Sequence, residues 1–209
     1  MYKKRIIVSL FLVISLCIAC ILPAYAKENL TTYEKAEVLN KLSILAGMDG
    51  DYNLSGQLKR SQAAAFIVRI MGKEAYVNAN KEKYWSTKFP DVISTQWYAP
   101  YVGYCSKNNI ISGLDDGRFA PDDPINEQAF LRLMLEVLGY KNDIDYTWNT
   151  VYEKAYEIGL IDFEVFSSRN VKNRQYTRGE VVEVLYNSLR LVNKETNITI
   201  IDNLINEGI

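Results

Sequence analysis

One stretch of the sequence decides the fold, and from Phe89 to Tyr140 it reads FPDVISTQWYAPYVGYCSKNNIISGLDDGRFAPDDPINEQAFLRLMLEVLGY. Apolar residues recur at helical spacing after Trp97 and again between Glu127 and Leu138. The residues between these two segments are rich in Gly, Asp and Pro, which favour turns and loops. The stretch therefore predicts a helix, a loop and a second helix.

The same arrangement is predicted on either side of this stretch. Residues 31–72 carry helical patterns at 31–46 and 61–71, and residues 147–192 repeat the arrangement with a second helix at 177–191. A helix pair of this size cannot bury its apolar face alone, whereas three similar pairs can share one core. The sequence therefore predicts an all-α fold with six principal helices in three repeats.

The segments that join or follow the repeats have weaker patterns. Residues 73–88 are polar, with several Lys and Asn, and we expect a solvated connector there. Residues 193–209 form a predicted tail whose isoleucines and leucine either pack back onto the body or leave it frayed.

The composition limits the chemistry. The 209 residues are 48% hydrophobic and 23% charged, an ordinary globular balance, and they include no histidine. The commonest general base and the commonest zinc ligand are therefore both missing. Residues 49–53 resemble the start of a calcium loop, but Leu54 and Arg60 stand where glycine and a bidentate glutamate belong. We expect no metal and no cofactor.

The N-terminal residues predict a secretory signal peptide at 1–26. Three basic residues precede an apolar run at 6–22, and Ala24 and Ala26 give a small-x-small cleavage site. An uncleaved membrane anchor and lipid attachment at Cys20 are the alternatives. Cleavage leaves 21 basic and 25 acidic residues, a net charge of −4, so we expect no nucleic-acid partner. Cys105 then remains alone and is read as a small core residue.

Several motifs in the central stretch together resemble the S-layer homology (SLH) domain family: Phe89-Pro90-Asp91-Val92, Trp97-Tyr98, Ile111-Ser112-Gly113, Asp116-Gly117-Arg118-Phe119-Ala120-Pro121 and Leu138-Gly139-Tyr140. The resemblance extends, more weakly, over residues 31–192. It implies three repeats that form a pseudo-trimer around a central helical bundle. It also implies binding to secondary cell-wall polysaccharide, often pyruvylated, on a Gram-positive-type envelope.

The family carries the motif Ile-Thr-Arg-Ala-Glu at the start of each second helix. The third repeat has Thr177 and Glu180 at capping-box spacing, with Arg178 between them at the first helical position. Free N–H groups at a helix start attract anions, and the guanidinium fork suits a carboxylate such as that of a pyruvyl group. Lys59 and Arg60 are expected to act in the same way in the first repeat, with Gln62 as a partial capping partner.

The second repeat departs from this motif. Glu127 stands in the place of the arginine, where a carboxylate repels an anionic ligand, so we expect a structural role for this helix start. Asn126 can still cap the helix.

Three further residues are candidates for glycan contact. Trp97 can stack on a sugar or anchor the core at a helix start, and Gly113 can approach a ligand or serve the loop geometry. Asp91 can bind a ligand or cap a helix that starts near Thr95. For Arg60 and Arg178 the alternative is an ion pair with an acidic side chain on a solvated face.

The sequence favours a secreted, non-catalytic, monomeric protein that binds cell-wall polysaccharide. The alternatives are an array subunit, a wall hydrolase with paired carboxylates among Asp122, Asp123 and Glu127, and a scaffold that binds another envelope protein.

Overall fold

The computed structural model describes residues 30–47, 51–169 and 175–209, so the predicted signal peptide lies outside the described residues. The all-α prediction is confirmed. None of the helices in the described ranges is long and apolar enough to cross a membrane. The helices are α1 (Thr32–Lys41), α2 (Arg60–Ile70), α3 (Glu74–Ala79), α4 (Lys81–Tyr84), α5 (Ala99–Lys107), α6 (Glu127–Val137), a 3-10 turn (Trp148–Thr150), α7 (Val151–Glu157), α8 (Phe163–Ser168), α9 (Arg178–Ser188) and α10 (Ile200–Asn206).

The first helices of the three predicted repeats, α1, α5 and α7, end in the same way. The second residue beyond each helix has a positive φ, and the next backbone N–H donates to a carbonyl five residues back, at 2.9 Å in all three cases. This is the Schellman ending, which satisfies helix carbonyls that would otherwise lack a donor. The three residues with positive φ are Ser43, Asn109 and Gly159, and the three donors are Ile44, Ile110 and Leu160.

The two principal helices of a predicted repeat are not each other's main packing partners. The first helix α5 packs on α2, α7 packs on α6, and α1 packs on α9 at the other end of the chain. The second helices also contact one another, α2 with α6 and α6 with α9. Their inward residues Ile67, Phe130, Leu131, Met134 and Leu185 are fully buried. The residues from Thr32 to Ile209 accordingly form one compact unit.

The structure contains short helices that the sequence patterns did not predict. Residues 73–88 hold α3 and α4, which bury Val77 and Tyr84. The third loop holds α8, and the predicted tail holds α10, which buries Ile200 and Leu204. A helix of four to seven residues is too short to show a clear periodicity, and isolated helices of this length depend on tertiary contacts.

Candidate functional site

The loop of the second repeat covers the N-terminus of α2. Backbone N–H groups of Arg60 and Ser61 donate to the carbonyls of Asp123 and Pro121, at 2.9 and 3.0 Å. Lys59 precedes the helix, and its N–H donates to the Gln62 side chain at 3.1 Å, as predicted. The first N–H groups of α2 are therefore already satisfied by protein carbonyls.

The same joint occurs at the N-terminus of α9. There the N–H groups of Arg178 and Gly179 donate to the carbonyls of Gly56 and Leu54, both at 2.8 Å. The predicted capping box is confirmed, since Thr177 Oγ1 accepts the Glu180 N–H and the Thr177 N–H donates to Glu180 Oε2. The prediction that free N–H groups at this helix start receive an anion is wrong, because the loop of another repeat occupies them.

A cavity of about 540 Å³ lies between α2, the loop at 111–119 and α6, and we call it the α2–α6 groove. Its volume lies within the range of about 300–1,000 Å³ that is usual for small-ligand sites. Two predicted site residues, Arg60 and Gly113, line it. The other lining residues are Ala64, Ile111, Ser112, Leu114, Asp115, Phe119, Ile125, Asn126, Ala129, Arg132, Leu133 and Trp148.

Arg60 is half-buried at the wall of this groove. Its Nε donates to the Phe119 carbonyl at 2.7 Å, and its guanidinium carbon lies 5.0 Å from the centre of the Phe119 ring. Burial lowers the pKa of the guanidinium from its usual value, against the opposing charges of Asp123 and Asp91. Arginine nevertheless stays protonated in proteins. The two terminal nitrogens of Arg60 make no hydrogen bond to any residue that the structure describes, so a fixed cation faces the groove with free donors.

Asp91 and Gly113 build the loop that holds Arg60. The Asp91 carboxylate accepts the N–H groups of Phe119 and Ala120, at 2.9 and 2.6 Å, and so fixes the carbonyl that Arg60 contacts. The prediction that Asp91 caps a helix near Thr95 is wrong, since α5 begins at Ala99. Gly113 has a φ of +87°, and a Cβ there would lie 2.5 Å from the Phe89 ring. Gly113 therefore serves the loop geometry, because a side chain at this position would clash with Phe89.

Arg132 and Trp148 also line the groove, and sequence reasoning missed both. Arg132 Nη1 donates to the Ile110 carbonyl at 3.2 Å, and Nη2 lies 3.8 Å from the Glu136 carboxylate. Trp148 is 47% exposed, and its carbonyl accepts the Gln128 side chain at 2.6 Å. Two features of the sequence could have indicated them. One is an arginine beside the apolar face of α6, and the other is a tryptophan just before the first helix of the third predicted repeat.

Comparison with known proteins relates one segment of the chain to a domain family. The model of the S-layer homology domain matches residues 88–131, which contain the loop that covers α2, the start of α6 and most of the residues that line the groove. This segment of the chain is an SLH domain. Relatives that match 59–80% of the chain include bacterial cell-surface and cell-wall proteins.

The chain is 28% identical over 155 residues to the middle cell wall protein of Brevibacillus brevis, covering 73% of this chain and 14% of that protein. It is 27% identical over 178 residues to the surface layer protein of Brevibacillus choshinensis, covering 80% and 15%. It is 26% identical over 124 residues to a cell surface protein of Thermoanaerobacter kivui, covering 59% and 16%. The chain thus spans about a seventh of the length of these relatives.

Arg178 of the SLH chain, unlike Arg60, is buried. Its side chain is only 8% exposed, its Nε donates to the Tyr52 carbonyl at 3.0 Å, and its guanidinium lies 5.4 Å from the centre of the Phe66 ring. Burial lowers the pKa of this guanidinium, as it does for Arg60. Direct ligand contact by Arg178 stays a prediction, and the contacts seen here assign it to joining the first and third repeats.

The remaining candidates lie outside the α2–α6 groove. Trp97 is 55% exposed, so the core-anchor interpretation is wrong, and its ring packs beside Tyr98. Lys59 pairs with Asp122 at 2.8 Å on the exposed surface. Glu127 is buried, and its carboxylate accepts the Tyr152 hydroxyl at 3.1 Å, in agreement with a structural role for this helix start.

Proposed function

We propose that this SLH protein is held on the cell wall by binding secondary cell-wall polysaccharide in the α2–α6 groove. The observation that carries the proposal is the Arg60 guanidinium, fixed by the Phe119 carbonyl and facing a cavity of about 540 Å³. A fixed guanidinium with free donors suits a carboxylate, because the two groups match in planar, bidentate geometry. The finer proposal is that the carboxylate belongs to a pyruvyl ketal on the sugar.

The other walls of the groove support a sugar ligand. Arg132 adds a second positive charge, while Asp115 is the acid on the lining. Ser112 and Asn126 supply polar groups that can pair with sugar hydroxyls. The exposed ring of Trp148 offers an apolar face with a polar edge, a combination that suits carbohydrate. We therefore assign Arg60 and Arg132 to the anion and Trp148 to the sugar ring.

The equivalent joints at α2 and α9 support the view that the chain is built from three repeats in a pseudo-trimer. We further propose that their ligand sites are unequal. Arg178 is buried and Glu127 takes the place of arginine, so the α2–α6 groove is the principal site. The candidates for paired catalytic carboxylates have other partners, Asp122 with Lys59 and Glu127 with Tyr152, which supports a non-catalytic role.

Co-sedimentation with purified wall sacculi tests the proposal. One sample keeps the secondary polysaccharide, a second has it extracted, and a third has its pyruvate removed by mild acid. We expect the chain to pellet with the first sample alone. Retention on extracted sacculi would contradict the polysaccharide as ligand, and retention after pyruvate removal would contradict the carboxylate assignment only.

Replacing Arg60 with alanine sharpens this test. Arg60→Ala should weaken binding to intact sacculi by about tenfold to a hundredfold, since a charge-assisted hydrogen bond contributes about 1.5–3 kcal/mol. Arg190→Ala is the matched control, because Arg190 is exposed and lies outside the groove. Equal binding by both variants would exclude the groove as the site.

A protein partner is the second candidate function, and one observation favours it. Helix α8 has no buried residue, and its Phe163 is 64% exposed beside Tyr156. Exposed aromatic rings of this kind are common in protein interfaces. If the chain pellets with none of the sacculi, a partner that covers α8 becomes the better proposal. Phe163→Ser should then abolish capture of that partner, while Arg60→Ala leaves it intact.

A further inference from the structure

Helix α4 is fixed firmly on the surface of α5. A Cβ on Gly103 of α5 would lie 1.7 Å from the Tyr84 carbonyl oxygen, so the two backbones approach as closely as glycine allows. Tyr84 is buried and packs edge-on against Tyr104, with ring centres 5.3 Å apart. The Lys107 ammonium donates to the Lys83 carbonyl. The backbone of this segment is thereby anchored, and the side chains on its outer side are held over a rigid support.

These outer side chains surround a depression of about 380 Å³, which we call the Trp85 surface. It is lined by Asn78, Ala79, Asn80, Lys81, Glu82, Lys83 and Trp85. Trp85 is 44% exposed. Lys81 and Lys83 are both exposed, and neither forms an ion pair with an acidic side chain in the described part of the chain. Glu82 is the acid on the lining. The depression therefore combines an exposed indole, side-chain amides and two lysine ammonium groups against one carboxylate.

This combination of groups fits one class of ligand, an anionic sugar. An indole stacks against the apolar face of a sugar ring, an amide pairs with hydroxyl groups, and ammonium groups attract carboxylate or phosphate. A short acidic peptide would use the lysines and the amide, but its flexible acidic side chains would leave the flat indole face uncovered. The surface does not border the α2–α6 groove, since the two share no lining residue.

We propose that the Trp85 surface is a second binding site, for anionic sugar units of a polysaccharide. The existence of the site rests on the surface itself. Its assignment to the wall polymer rests on the proposed function. In that arrangement one polysaccharide chain occupies the groove and this surface together. Two linked contacts raise the apparent affinity because the second binds at a high effective concentration, so retention on the wall would exceed that of either site by about a hundredfold.

Defined oligosaccharides test the site by isothermal titration calorimetry on the purified chain. The probes are tetragalacturonate, its neutral methyl ester and a phosphate-bearing oligomannose. We expect tetragalacturonate to bind at least about tenfold more tightly than its methyl ester, and the phosphate probe shows whether either anion suffices. Failure of both anionic probes to bind would overturn the proposal.

Variants locate the binding. Trp85→Ala and the double variant Lys81→Glu with Lys83→Glu should each weaken tetragalacturonate binding about tenfold, while Trp85→Phe keeps most of it. Lys41→Glu, an exposed lysine on α1, is the charge control and should change little. Loss in the lysine variant without loss in Trp85→Ala would indicate general charge attraction and overturn the site.

Arg60→Ala separates this proposal from the proposed function. It should leave tetragalacturonate binding at the Trp85 surface unchanged while it weakens pelleting with sacculi. If Arg60→Ala abolishes tetragalacturonate binding and the Trp85 variants do not, the sugar binds in the groove and no second site exists. Far-UV circular dichroism of each variant excludes misfolding as the cause of a loss.

Discussion

Asp91 controls the position of Arg60 without touching it. Its two carboxylate oxygens hold the N–H groups of Phe119 and Ala120, and the Phe119 carbonyl in turn accepts Arg60 Nε. Ala120 has a φ of 56°, a conformation that is costly for a residue with a side chain. The carboxylate therefore stabilises a strained loop whose shape decides where a distant guanidinium lies.

Replacing Asp91 with asparagine should test this role. An amide offers one oxygen in place of two, so at least one charge-assisted hydrogen bond is lost, and stability should fall by about 1–3 kcal/mol. Binding to sacculi should weaken several-fold yet still depend on pyruvate, whereas Arg60→Ala should lose that dependence. Titration with intact and pyruvate-free sacculi measures both effects.

Asp116→Asn is the control for this experiment. Asp116 lies in the same loop but pairs only locally, with Arg118 at 2.7 Å on the exposed surface. Its substitution should leave wall binding unchanged. Equal losses in the two variants would mean that the loop as a whole, and not the Asp91 contact, positions the arginine.

The sequence predicts the residue-scale features that depend on local spacing. Thr177, Asn126 and Gln62 act in the helix caps as expected, because each partner lies three residues away. The burial of Arg178 was not predictable in this way. It depends on the Tyr52 carbonyl, which is 126 residues away and reaches Arg178 only when the first and third repeats meet.

Elements outside the repeats are held by side-chain tethers. The Lys194 ammonium donates to Asp145 Oδ1, the Lys141 N–H donates to Asp145 Oδ2 at 2.9 Å, and the Lys194 N–H donates to the Leu138 carbonyl at 2.9 Å. These bonds fasten the segment before α10 to the end of α6. A predicted tail thus becomes an ordered helix because of contacts that no helical periodicity reveals.

This tether should weaken in acid. The hydrogen bond from Lys194, followed by that from the Lys141 N–H, lowers the pKa of Asp145 below its usual value. A lowered folded-state pKa means that the tether stabilises the fold above the unfolded value of about 4 and is lost as the pH falls through the folded value. The protection of the Leu204 N–H in α10 against hydrogen exchange, measured relative to the intrinsic exchange rate at each pH, should therefore fall below about pH 4.

Asp145→Asn should remove this dependence. The variant should show faster exchange in α10 already at neutral pH, with no further change that can be assigned to the tether in acid. Glu157→Gln is a suitable control, because Glu157 pairs with Lys154 at 2.6 Å within one turn and touches no part of α10. Unchanged exchange in Asp145→Asn would show that the buried residues Ile200 and Leu204 hold α10 without help.

Over the whole molecule, the packing partners cross the repeat boundaries. The helical class is readable from the sequence, because patterns such as that of α6 are long and periodic. Which helices pair cannot be read from the sequence, since α1 would bury a similar apolar face whether it packed on α2 or on α9. Of the residues that line the groove, the sequence predicted only Arg60 and Gly113 as site residues. Arg132 and Trp148 join them only because the helices pair across the predicted repeats.

The crossed pairing predicts a single cooperative unfolding transition. Leu39→Ala in α1 and Leu131→Ala in α6 each remove a fully buried side chain and should cost about 2–5 kcal/mol. Both should shift one shared transition, seen at the same denaturant concentration by circular dichroism and tryptophan fluorescence. Separate transitions, with Leu39→Ala shifting only one of them, would mean that the repeats unfold independently.

The pairing of α1 with α9 also affects how the chain can be made and delivered. A protein emerges from the ribosome or an export channel with its N-terminal side first, so α1 waits without its packing partner until Arg178–Ser188 has followed. For nearly the whole passage the apolar face of α1 stays exposed to chaperones and proteases. The contact that closes the compact unit is thus among the last that can form as the chain is synthesised.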